Sequence, residues 1–126
     1  MGTQHIIGWE KGVAANAVFT IAASAATIVV SVQLKDFAGN NLTEMNKVDW
    51  YISSDITGLT ASTVTSATVA TGIQGTIVDT YSYYSVSTAA GEFSTTLDGT
   101  GANSRYMNVV LPNGRVIHSA IITFSA

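Results

Sequence analysis

Four aliphatic side chains, Ile28, Val30, Val32 and Leu34, occupy every second position of one stretch, with Val29, Ser31, Gln33 and Lys35 between them. A period of two puts the first set on one face of a β-strand and the second on the other, whereas a helix would scatter both. The period recurs where Val48, Trp50 and Ile52 alternate with Asp49, Tyr51 and Ser53, and again at Phe93, Thr95 and Leu97. In each case the apolar set predicts a buried face, with Trp50 pointing inward. The residue supply agrees. Valine (13), isoleucine (11) and threonine (17) make up about a third of the 126 residues, and such β-branched side chains suit a pleated sheet better than a helix.

Turn chemistry separates the strands. Asp36-Phe37-Ala38-Gly39-Asn40-Asn41 and Asp98-Gly99-Thr100-Gly101 contain residues that tolerate left-handed dihedrals. Residues 16 to 22 read as a short strand, and residues 26 to 35 as the long alternating one. Residues 73 to 84 and 86 to 88 read as one or two strands. The run from Ile56 to Val78 carries no charge, and its first part, rich in Thr, Ser, Ala and Gly, reads as a long loop or a short strand. Around Leu42 to Lys47 no more than a turn of helix fits. Several short strands between Gly and Asn turns predict an all-β sandwich of about seven strands. Residues 1–15, punctuated by Gly2, Gly8 and Gly12, read as an extended arm with Ile6, Ile7 and Trp9 as apolar anchors; residues 16–126 form the sandwich.

The sharpest local signal is Asn113-Gly114 between two apolar runs, the preferred pair for a two-residue type I′ hairpin. That turn would set Pro112 opposite Arg115, Leu111 opposite Val116, Val109 opposite His118 and Met107 opposite Ala120. The reverse face would carry Tyr106, Asn108, Val110, Ile117, Ser119 and Ile121. Both faces are then largely apolar, and both need cover. One packs on the core. The other requires a neighbouring subunit, or a bulge that shifts the register.

Several functions are disfavoured. The net charge is −3 and the five basic residues are scattered, which argues against a nucleic-acid footprint. There is no cysteine, so disulfide and Cys-zinc scaffolds are excluded. His5 and His118 are the sole histidines, too few for a histidine metal centre. Asp36, Asn40 and Glu44 lack the alternating acidic pattern of a calcium loop. No Gly-x-Ser-x-Gly elbow or phosphate-binding glycine loop occurs, and no enzyme activity or cofactor is expected. Tyr81, Tyr83 and Tyr84 could stack a base or a sugar, but they have no basic neighbours and read better as strand or interface residues. Asn41-Leu42-Thr43 matches a glycosylation sequon that matters only after export. The stretch Val13 to Val32 is long enough to span a bilayer, and Ala23-Ser24-Ala25 resembles a cleavage site. Yet Asn16, Thr20, Ser24, Thr27 and Ser31 interrupt it, and Met1 to His5 offers no Lys or Arg. Two strands joined by a small-residue turn explain it better, in a protein used inside the cell or released by lysis.

Val32-Gln33-Leu34-Lys35-Asp36-Phe37-Ala38-Gly39-Asn40-Asn41-Leu42 resembles the opening of bacterial Ig-like (Big/invasin-type) domains: a strand, then Lys-Asp, then a Gly-Asn turn. The strand Val48 to Ser53 and the turn Asp55 to Gly58 continue that likeness. Tyr106 to Phe124, with Val109-Val110-Leu111-Pro112-Asn113-Gly114-Arg115-Val116 and Ala120-Ile121-Ile122-Thr123-Phe124, looks like small Ig-like virion proteins of tailed bacteriophages. The likeness covers residues 26 to 126; the Thr/Ala-rich segment 59 to 72 departs from it. It implies an Ig-like sandwich without a catalytic site. It also implies a capsid decoration, or cement, protein made in the host cytoplasm and carried on the outer capsid surface. The expected partners are the major capsid protein and further copies of the chain, in a homotrimer, with no nucleic acid and no membrane. Partner contacts are expected at Ile6, Ile7, Trp9, Tyr106, Val110, Ile117 and Ile121. The alternatives are an Ig-like recognition or adhesion module and another tail or neck component.

Overall fold

The alternating stretch forms the longest strand of the protein. A computed structural model describes residues 12–99 and 101–125. In it β2 (Thr27–Lys35) buries Ile28, Val30, Val32 and Leu34 and turns Val29 and Ser31 outward. Burying one such aliphatic side chain contributes about 1.5–3 kcal/mol, which fixes the face that the strand presents. β1 (Asn16–Ile21) pairs antiparallel with β2 from Asn16 opposite Lys35 to Ile21 opposite Val30. On the other side of β2 lies β7 (Glu92–Asp98), which buries Phe93, Thr95 and Leu97, and beyond it β4 (Ser66–Thr71). The first sheet therefore has the order β1-β2-β7-β4. The span from Val13 to Val32 is strand, turn and strand, and no helix among the described residues is long and apolar enough to cross a membrane.

The second sheet centres on β3 (Lys47–Ser53), whose Val48, Trp50 and Ile52 are buried. One neighbour is β6 (Ser82–Val86), with β5 (Ile73–Val78) outside it. The other is β8 (Ser104–Val110), which in turn pairs with β9 (Val116–His118) and β10 (Ile122–Thr123). The two sheets pack face to face over one core. Val30, Leu34, Phe93 and Leu97 come from the first sheet; Trp50, Ile52, Tyr83, Met107 and Val109 come from the second. The architecture is a β-sandwich, and no helix occurs among the described residues.

Among the described residues the sandwich holds ten strands, against the seven or so expected. Two of the additions come from the uncharged run. β4 is an edge strand in which only Ala67 is even half-buried, so it has no buried face to impose an alternation. The following residues divide into β5 and β6 around a bend at which Thr80 adopts φ 74°. Between β4 and β5 the chain passes from one sheet to the other at Gly72, φ 86°, where a Cβ would stand 2.6 Å from the Val86 carbonyl oxygen. The third addition comes from the last strand, which splits into β9 and β10.

Of the segment expected as an arm, only residues 12–15 are described, and these are tied to the sandwich. Ala14 and Ala15 are buried, and the Ala15 N–H donates to the Lys35 carbonyl at 2.8 Å. Asn46 grips the same segment with both ends of its amide: Nδ2 donates to the Gly12 carbonyl and Oδ1 accepts the Ala14 N–H. The anchors Ile6, Ile7 and Trp9 lie outside the described residues. Gly12 thus sits beside the start of β3, at the end of the sandwich that also holds Lys35, Val86 and Val110. Phe124 sits at the opposite end, bridged to Ala25 just before β2.

Candidate functional site: the outer face and free edge of the second sheet

Asn113-Gly114 makes a hairpin, but of a different kind from the one expected. The Gly114 N–H donates to the Leu111 carbonyl, and the Leu111 N–H donates to the Arg115 carbonyl. Gly114 has φ 86°, whereas Asn113 stays at negative φ, which rules out a type I′ turn. Pro112, Asn113 and Gly114 instead form a three-residue loop, a type I turn followed by a left-handed bulge residue. Pro112 supplies the fixed φ of the first turn position. Every pair consequently shifts by one residue: Asn108 faces His118, Val109 faces Ile117, and Val110 faces Val116. Since side chains alternate, a one-residue slip exchanges the faces of the whole returning strand.

That slip redistributes the expected contact residues. Ile117 now packs against the core. Tyr106 and Val110 remain on the outer face, both half-buried. Further along, Ser119 stands opposite Met107: its hydroxyl accepts the Met107 N–H, and its own N–H donates to the Met107 carbonyl. Yet Ile122 pairs with Arg105. Ala120 and Ile121 therefore oppose the single residue Tyr106, a bulge that leaves Ile121 half exposed. The four residues do not form one continuous face.

The chain itself covers part of the outer face. Asn108, fully buried, donates through Nδ2 to the Tyr51 carbonyl and to Ser53 Oγ, so its Oδ1 is the acceptor for His118 Nδ1 at 2.6 Å. His118 therefore bonds an amide rather than a serine or an acid. The Tyr51 hydroxyl donates to the Gly58 carbonyl at 2.7 Å, which draws residues 54–61 back over the sheet. Gly58 has φ 72°, and a Cβ there would meet Tyr51 Oη at 2.7 Å and Asn108 Oδ1 at 2.8 Å, so only glycine fits this contact. Asp55 ties the loop internally: its carboxylate accepts the Thr57 hydroxyl and the Thr60 N–H. The hydrogen bond from Thr57 holds the Asp55 carboxyl below its ordinary value. Burial, with a smaller contribution from Asp55, raises the Tyr51 phenol. At the tip of this braced loop stand Ile56 and Leu59, the latter 86% exposed.

The three tyrosines do not make a stacking platform. Tyr83 is buried, with its ring on Trp50 at 4.6 Å between centroids. Tyr81 packs against the core. Tyr84 alone faces outward; it lies over Gly75 of β5, under the Lys47 ammonium 4.7 Å from its ring centre. Beside it, β5 exposes Ile73, Ile77 and Val78. Sequence reasoning missed these three and the pair Ile56 and Leu59, although the uncharged run containing them was visible.

On the far side of the molecule, the outer face of the first sheet carries a shallow trough of about 340 Å³. Thr20, Ser31, Gln33, Glu92 and Ser94 are among its lining residues, and no histidine is. Asp36, weighed above as a cation ligand, accepts the Ala38 and Asn40 N–H groups and so closes its own turn. Among the described residues no cluster of three or more His, Asp or Glu side chains could hold a metal ion. What the surface offers is exposed apolar side chains on a hydrogen-bonded loop and on an uncharged edge strand. No protein-family model matches the chain, and no curated protein matches it in sequence.

Proposed function

We propose that the protein is a capsid decoration protein of a tailed bacteriophage, which binds the outer shell as a trimer and stabilises the head. The observation that carries this reading is the uncharged run Ile56 to Val78. It exposes Ile56, Leu59, Val69, Ile73, Ile77 and Val78 along a loop, β4 of the first sheet and β5 of the second. Exposed aliphatic side chains recurring along one uncharged run offer contact points for another protein. A cement protein needs this kind of surface: repeated contacts with identical shell subunits and with its own copies, and no pocket. The resemblance of residues 26 to 126 to small Ig-like virion proteins points the same way. Residues 1–11 supply further anchors in Ile6, Ile7 and Trp9.

The experiment is occupancy on purified heads. Removal of residues 2–11 spares Gly12 and its bonds to Asn46, so the sandwich should fold normally while binding to heads falls at least tenfold. Unchanged occupancy would sink the arm's role. A second reading is an adhesion module, favoured by the braced loop 54–61 with Leu59 at its tip. Copy number on the virion separates the two: hundreds of copies for cement, a few for a fibre or neck module.

A further inference from the structure

The strand registers bring four hydroxyls into one row on the outer face of the first sheet. Thr20 of β1 stands opposite Ser31 of β2, Ser31 opposite Ser94 of β7, and Ser94 opposite Thr71 of β4. At a strand spacing of about 4.8 Å the row is about 14 Å long. A bulge puts its last member there. The pairing of β4 with β7 skips a residue between Val69 and Thr71. In an unbroken register Ala70 would face Ser94, and Thr71 would turn toward the core beside Phe93. Bulges re-aim side chains in this way. All four hydroxyl residues line the shallow trough of about 340 Å³.

Ser94 forms the floor of this trough. It lies on an inner strand whose Phe93 and Thr95 turn to the core, and it is only 7% exposed. Among the described residues no group hydrogen-bonds the hydroxyls of Thr20, Ser31, Thr71 or Ser94. A hydroxyl set so deep without a protein partner must find one in whatever fills the trough. Glu92 stands two residues from Ser94 on the same face, and its carboxylate makes no ion pair among the described residues. Gln33, opposite Glu92, commits its Nε2 to the Leu34 and Ala90 carbonyls, which leaves Oε1 as an acceptor. Half-exposed Val18 stands opposite Gln33 on the other side and adds an apolar patch. No basic residue lines the trough.

We propose that this trough binds a neutral saccharide. Other small-ligand classes fit it poorly. A phosphate or carboxylate would meet Glu92 and find no cation to hold it. A metal ion would find one carboxylate and too few hard ligands beside it. A flat aromatic ligand would find no ring to stack on, because Phe93 is buried in the core. A sugar ring uses every feature. Its hydroxyls donate to Glu92 and to Gln33 Oε1, and they exchange bonds with the row, where each hydroxyl both donates and accepts. Its C–H groups rest on Val18. The volume of about 340 Å³ is at the small end of the range for ligand sites, about 300–1,000 Å³. Glu92 also sets the specificity: neutral sugars are taken, and acidic sugars are repelled. The trough lies on the opposite side of the sandwich from Ile56 and Leu59, so saccharide binding and head binding are lost by different substitutions.

The test is a titration of the isotope-labelled protein followed by its amide resonances. The probes are maltotriose, cellotriose and chitotriose, with trigalacturonate as the acidic counterpart. At least one neutral trisaccharide should move the Ser31, Ser94 and Thr71 amides and saturate in the millimolar range, as a small ligand in an open site does. Trigalacturonate should bind at least tenfold more weakly. Thr71→Val and Ser94→Ala each delete one hydroxyl and should weaken the neutral sugar at least threefold. Glu92→Gln should weaken it as well and narrow the gap to trigalacturonate. Leu59→Ser is the control and should bind as the parent protein does. The spectrum of each free variant checks its fold. Thr71 and Glu92 are exposed, so they carry the test if Ser94→Ala does not fold. The proposal is overturned by the absence of saturable shifts with all three neutral sugars, or by shifts centred elsewhere. Equal binding of trigalacturonate, or unchanged binding by Thr71→Val and Glu92→Gln, overturns it too.

Discussion

Trp50 and Tyr83 face each other across β3 and β6 and carry much of the core of the second sheet. Their polar atoms fare differently. Trp50 Nε1 donates to Ser85 Oγ at 2.8 Å, so the indole is satisfied inside the protein. The Tyr83 hydroxyl approaches the backbone of Thr80 without closing a hydrogen bond. A phenol enclosed in this way loses its water and gains little in return. Burial also raises the Tyr83 value above that of a free tyrosine. The neutral ring therefore contributes stability below about pH 10, and this is lost as pH rises through the higher folded value. Removal of the oxygen alone is the test. Tyr83→Phe keeps the stacking on Trp50 and should stabilise the protein by about 1 kcal/mol in urea unfolding. A loss of that size would mean that the hydroxyl bonds Thr80 after all.

Among the elements, a buried face on alternate positions made a strand easiest to read. β2, β3 and β7 each put apolar side chains on alternate positions because the core takes one face of each. β4 has no such face, and its Thr, Ala and Val residues look like a loop. The hairpin was legible as a hairpin but not in register, because Asn-Gly serves two turns: both central residues of a type I′ turn, or the end of a type I turn plus the bulge residue. Pro112 before the pair was the available clue, since its fixed φ suits the start of a type I turn. The loop 54–61 could not be foreseen as a cover for the sheet, since that depends on Tyr51 and Asn108 meeting Gly58 from different strands. Asp55 gives this loop a pH signature. A carboxyl whose value is lowered on folding contributes stability that is complete above its unfolded value, near 3.9. The contribution is lost as pH falls through the lower folded value. Hydrogen exchange at the Thr60 amide, corrected for its intrinsic rate, should hold steady from neutral pH down to about 4 and weaken only below that. Weakening already at pH 6 would show that Asp55 is not the brace.

For the molecule as a whole, the core and the exposed apolar side chains are separable. The core residues lie between the sheets, while Ile56, Leu59, Ile73 and Ile77 lie outside them. Leu59→Ser should therefore change unfolding free energy by less than about 0.5 kcal/mol, as exposed substitutions do. On the proposed function it should also weaken attachment to heads several-fold. Equal loss of stability and attachment would put Leu59 in the fold rather than in the contact.

The opposite positions of Gly12 and Phe124 determine how the sandwich answers a mechanical pull. Tension applied at these two points runs parallel to the strands. To draw β1 out by its Gly12 end, the six residue pairs that join it to β2 must slide past one another together. At the other end β10 must slide along β8, and the bridge from Phe124 to Ala25 must part. Bonds loaded side by side share the force, whereas a hairpin pulled open at its mouth gives way one pair at a time. A chain tethered at both points would resist stretching like a lap joint rather than open like a zip.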